Sequence, residues 1–233
     1  MKKRLPVLAL LLVALVLVPA AAFAGTSSSS GMTANAWGEL YAPDAMWPSL
    51  WAFAWGGEQS TVSHYEQGKP VRYAYSEFSA MVDYPTYDQD GNPVGVWASY
   101  SVTVPECDMG IDRDLTRAGV QATAEGLKYT YSWVPSAFGE GWETVTLTEE
   151  PIVAELDFSW TGTGDLTTYK NRMLEWMDGY RWMNSSRGAY RECAIVGSFV
   201  VDGVDLIEGV ELTGSIDKSK SHDVQFGEFP YFE

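Results

Sequence analysis

The chain of 233 residues carries 31 Asp and Glu against 15 Lys and Arg, with two His, for a formal net charge of −16. A surface that acidic repels phosphate backbones and anionic lipid heads, which excludes nucleic acid and a charged bilayer as expected partners. His64 and His222 lack the local spacing of a zinc site, and with no Gly-x-Ser-x-Gly elbow anywhere the sequence carries no serine-triad signature.

Lys2, Lys3 and Arg4 precede an apolar run over residues 5–18, Pro19 ends it, and Ala22-Phe23-Ala24 places small residues where a signal peptidase reads. These features predict a general secretory signal over residues 1–24, cleaved after Ala24, and a secreted or extracytoplasmic protein in the periplasm or at the cell surface. Loss of Lys2, Lys3 and Arg4 would leave 12 basic residues against 31 acidic ones, a balance of −19. No later run approaches the roughly 18 apolar residues of a spanning helix, so no membrane contact is expected after cleavage. Residues 25–36, with four consecutive serines, read as a flexible leader. Residues 37–233 read as a single β-sandwich-like domain, with Pro105-Glu106-Cys107 and Arg191-Glu192-Cys193 hinting at two related halves.

Strand signals dominate that domain. Residues 50–55 and 60–66 read as two short strands. Residues 71–87, rich in Tyr and Val, lead through Asp88, Asp90, Gly91 and Asn92 into residues 94–104. There Val94, Val96, Ala98, Tyr100, Val102 and Val104 share one face at period two, which predicts a strand paired to its predecessor across the Asp-Gly turn. Residues 115–124 and 127–134 suggest a second hairpin around Glu125-Gly126, and 142–148 and 152–161 two strands broken at Pro151. Residues 190–201 and 204–216 suggest a third hairpin across Asp202-Gly203. Leu166, Tyr169, Met173, Trp176 and Met177 form a helical stripe, so residues 166–178 are expected as the one short helix, with a hairpin across Asp178-Gly179 as the competing reading. The predicted fold is all-β: an antiparallel β-sandwich or open barrel of roughly ten strands.

Three groups of residues invite a chemical reading. Cys107 and Cys193, in an oxidising compartment, are expected to form one disulfide. Asp88, Asp90 and Asn92 alternate on a turn and could offer oxygen ligands to calcium, as could Asp108, Asp112 and Asp114; no other cofactor is implied. The content of ten Trp and thirteen Tyr concentrates in two ladders. Trp51, Phe53 and Trp55 share one strand face, and Tyr129, Tyr131 and Trp133 another. On a solvent-facing sheet such ladders stack sugar rings; on an inward face they are core. The Asn184-Ser185-Ser186 sequon matters only in a host that glycosylates it. Carboxylate pairs are too numerous in so acidic a chain to single one out. The function expected from these residues is an exported, non-catalytic β-domain that binds or assembles, with a glycan or protein partner outside the cell. The alternative is a carbohydrate-recognition module built on the ladders, and an enzyme acting on extracellular polymer is a third.

Overall fold

The computed structural model describes residues 25–227, apart from 66–68, 89, 93, 136–141 and 178–179. The expected signal over residues 1–24 lies outside the described residues. The described residues form ten strands: β1 (Gly25–Leu40), β2 (Leu50–Tyr65), β3 (Val71–Tyr84), β4 (Gly95–Pro105), β5 (Arg117–Pro135), β6 (Trp142–Gly162), β7 (Thr167–Met177), β8 (Tyr180–Val201), β9 (Val204–Asp205) and β10 (Thr213–Gly227). All pair antiparallel in one sheet of order β10-β1-β2-β3-β4-β5-β6-β8-β7, and a further β10–β8 pairing joins the ends. The sheet therefore closes into a ring, although not a regular barrel, with β7 and β9 off the circuit. Opposite partners run Ala36, Ala54, Ala80, Val102, Gly126 and Ile152 one way round. The other way, through Gly214 and Cys193, they reach Gly162, ten positions further along β6 than Ile152. That stagger tilts the strands, as closure requires.

The inner wall is set by parity. Even positions of β1 to β6 and odd positions of β8 supply the core, where Ala34, Ala36, Ala52 and Ala54 on one side leave room for Phe78, Phe158, Trp160 and Phe199. Small facing large fills a narrow ring without voids. Phe78 and Phe158, three strands apart round the sheet, touch across the interior with ring centroids 5.5 Å apart. Trp160 Nε1 donates to the Asn35 carbonyl across the ring at 2.8 Å, so the largest buried side chain has no orphaned polar atom. Met109, Leu115 and Ile207, from connecting loops, are buried against this core.

Several segments depart from the sequence expectations. The serine-rich run is no loose leader: Ser27 to Ser30 pair with β2 on one side and β10 on the other. Ser29 meets Ser221 Oγ at 2.6 Å, and Ser28 meets His222 Nδ1 at 2.8 Å, so cross-strand hydroxyls replace apolar contacts. Glu125-Gly126 is not a turn but the middle of β5, and Pro151 lies within β6 opposite Leu127. A Cβ on Gly126 would run into the Ser101 carbonyl and Val102 of the adjoining strand, so the glycine serves close strand approach rather than a bend. The expected helix is strand β7, paired to β8. Residues 71–84 and 95–105 pair as expected. Asp202-Gly203, with φ of 52° and 79°, makes the tight turn that a two-residue hairpin favours, but only Val204–Asp205 follows as strand.

Cys107 and Cys193 are not bonded, which corrects the disulfide expectation. Cys107 sits in the loop after β4 beside Met32, Gly57 and Glu58. Cys193 faces the core from β8, opposite Gly162 and Gly214. The two thiols occupy different parts of the wall. Burial pushes both thiols above their ordinary range, with the Asp108 charge adding to the effect at Cys107, so both are held as thiols. Intact-mass measurement should give the fully reduced chain, with alkylation of Cys107 preceding that of Cys193. A mass two units lower under non-reducing conditions would contradict this arrangement.

Candidate functional site

Since the core takes the even positions of β2 to β5, the odd positions face outward, and both aromatic ladders are odd. Trp51, Phe53 and Trp55 stand on the outer face of β2, and Tyr129 and Tyr131 on that of β5. A register shift between Ser132 and Trp133 interrupts the second ladder; the Trp133 side chain lies outside the described residues. Trp55 is 43% exposed, whereas Trp51, Phe53, Tyr129 and Tyr131 are half-buried.

The strands between the ladders carry small polar groups. Directly opposite partners run Trp51, Asp83, Ser99, Tyr129 in one row, and Phe53, Met81, Ser101, Leu127 in the next. Ser79 and Thr103, bonded to each other at 2.9 Å, continue the floor opposite Trp55. Three inter-strand spacings, about 14 Å, separate β2 from β5. The two ladders are thus the walls of a single trough with a floor of hydroxyls. A groove of about 890 Å³ opens where β4 parts from β5 and continues across β5 to β6, lined by Ser101, Thr103, Glu125, Tyr129, Val153 and Asp202 among others, so it adjoins the trough on its β5 side.

The upper end of the trough is roofed by rings that sequence reading did not single out. Trp51 packs edge-on against Trp97 and Tyr87 at centroid distances of 5.8 and 6.1 Å, and Trp47 tilts over Tyr87 at 5.7 Å. Trp97 had a signal, because it alternates out of phase with the inward valines of its strand. Trp47 and Tyr87 arrive from loops, and no periodicity marks them. Gly91, at a φ of 83°, carries no side chain that would strike the Trp47 ring.

Beneath these rings Asp83 is only 8% exposed. Burial holds its carboxyl above the usual range, against hydrogen bonds from Ser99 and Trp97 that pull the other way. Its protonated form is therefore favoured in the fold, and stability is full below the ordinary carboxylate range and falls as pH rises toward the folded-state value. Asp83→Asn, which keeps a polar group under the rings, should melt increasingly above the parent as pH rises from about 4 toward the folded-state value of Asp83. Thermal melts across pH test this, and a parallel pair of curves would refute it. Trp51 Nε1 is also buried, with no acceptor among the described residues.

The oxygens considered for calcium have other work. Asp88 Oδ1 accepts from the backbone N–H of Asp90 and Asn92, both at 2.9 Å, and Asn92 Nδ2 reaches Oδ2 at 3.1 Å. Those donors hold the Asp88 carboxyl below its usual range, the Asn92 bonds contributing most. A carboxylate ringed by N–H donors does not fit a cation, and the cluster is a turn cap. Asp108, Asp112 and Asp114 accept in the same way from Gly110 and Thr116. Among the described residues no group of three or more His, Cys, Asp or Glu is placed to hold a metal. Asp88→Ala should speed hydrogen exchange at the Asp90 and Asn92 amides and leave β3–β4 pairing intact, which exchange mass spectrometry reads directly.

No family model matches this chain, and no curated protein does. Among solved structures it is similar to an acetoacetate decarboxylase-like enzyme from Sphingomonas wittichii RW1, with 8% identity, 88% of this chain and 94% of the other covered, and a TM-score of 0.21. It is also similar to the translocator domain of the autotransporter NalP from Neisseria meningitidis, with 10% identity, 88% of each chain covered and a TM-score of 0.15. At these TM-scores the likenesses carry no argument about this chain.

Proposed function

We propose that this is an exported, non-catalytic binding protein that holds a neutral glycan chain in the outward trough. The observation that carries the reading is that both ladders stand on the outer face and flank a strip of serine and threonine hydroxyls. Aromatic walls offer apolar faces to sugar rings, the serine and threonine hydroxyls exchange hydrogen bonds with sugar oxygens, and an uncharged ligand meets no repulsion from an acidic surface. Asp83, buried and held by Ser99 and Trp97, acts as a support for the rings rather than as a reagent. A glycan array with the mature protein tests the reading. Binding to neutral glucan-, mannan- or xylan-type chains is expected, and no signal above background would end it.

A further inference from the structure

Beyond the ring closure the sheet continues as six strands, β3-β2-β1-β10-β8-β7, and the face that prolongs the inner wall changes character. Register places Lys170, Arg187 and Lys220 directly opposite one another on β7, β8 and β10, followed by Ser30 and Ser60 on β1 and β2. The next row begins with Arg172 and passes through His222 and Ser28 to Arg72. Opposite residues of an antiparallel sheet project to the same side, so these cations share one face. The acids of the same strands, Glu175, Asp217 and Asp223, fall on the other parity. Glu58 is the single carboxylate on the cationic side of these strands among the described residues.

Like charges set directly opposite destabilise a ladder, yet a chain with 31 acidic residues leaves this row unneutralised. Lys170, Arg172, Arg187 and Lys220 are exposed, and among the described residues none is ion-paired; the bridge that exists, Lys128 to Glu150 at 3.4 Å, lies elsewhere. The acidic loop 106–116 borders the face only at its upper edge, where Lys218 Nζ donates to the Arg113 carbonyl at 3.0 Å.

We propose that this face binds a linear acidic polysaccharide, with carboxylates against the Lys170–Arg187–Lys220 row and hydroxyls against Ser28, Ser30 and Ser60. The row of cations and hydroxyls runs five strands across, about 19 Å at the inter-strand spacing, a line that suits a narrow chain rather than the broad area of a bilayer. Single-stranded nucleic acid needs aromatic platforms for its bases, and Trp176, the aromatic ring on this face among the described side chains, is capped by the Arg181 guanidinium 4.2 Å from its centroid. This site is separate from the glycan trough and stands or falls without it.

The test is binding of the mature protein to immobilised polygalacturonate at low and high salt, beside neutral dextran, a single-stranded oligonucleotide and anionic phospholipid vesicles. Salt-sensitive binding to polygalacturonate is expected, weakened about tenfold by Lys170→Glu with Arg187→Glu and unchanged by Trp51→Ala. Arg187→Gln is expected to bind more weakly yet melt higher, because it relieves the like-charge row. No binding at low salt, insensitivity to charge reversal, tighter binding of oligonucleotide or vesicles, or self-association abolished by the double variant would each overturn the proposal.

Discussion

Trp160→Ala is expected to destabilise the fold by about 3–5 kcal/mol, the range for removing a large buried aromatic, and so to leave a protein of ordinary stability barely folded. Trp160 is 1% exposed and touches both Phe78 and Phe158, with centroids at 6.3 and 6.0 Å. The surrounding wall on β1 and β2 is alanine, which has no side chain to swing into the vacancy, so the site collapses poorly. The Asn35 carbonyl also loses its indole donor. Trp160→Phe separates the two contributions, since it retains a ring and loses the hydrogen bond, and it should cost only part of the alanine value. Urea denaturation of the three proteins measures this. An alanine variant within 1 kcal/mol of the parent would mean that the ring interior is not the core.

What the sequence disclosed follows the same physics. Residues 94–104 were legible because one side of that strand faces the core and the other does not, which writes period two into the residues. Residues 167–177 were not, because β7 lies off the ring: Tyr169, Met173, Leu174 and Trp176 are exposed on both parities, and a helical stripe arose where no buried face constrained the pattern. Glu125-Gly126 carried a turn-like signature for a different reason, the close approach of β4. The serine run was illegible since its order comes from partners nearly the whole chain away on β10. Of the site, the ladders were visible as alternating aromatics, but which face they occupied depends on closure of the ring, and so on pairings between chain ends. Asp83 had no local signal at all; its character comes from rings supplied by three other segments.

The trough supplies the second large effect. Trp51→Ala should weaken glycan binding by about 2 kcal/mol, or roughly thirtyfold, the scale of a buried aromatic anchor at an interface. The indole offers a stacking face, and its removal also frees Trp97 and Tyr87 to shift. Because that loosening could act through the fold, a second variant approaches from the floor. Ser101 is small, polar and lies in the floor on β4, one strand from the β5 wall and two from the β2 wall, opposite Met81 and Leu127. Ser101→Trp projects from the outer face beside Tyr129, obstructs the floor and should abolish binding while the melting temperature changes little. Trp37→Ala, on the outer face of β1 and 51% exposed, lies outside the trough and should leave affinity within about twofold. Titration calorimetry against the best array ligand resolves all three. If Ser101→Trp binds as the parent does, the ligand is not in the trough, whatever Trp51→Ala does.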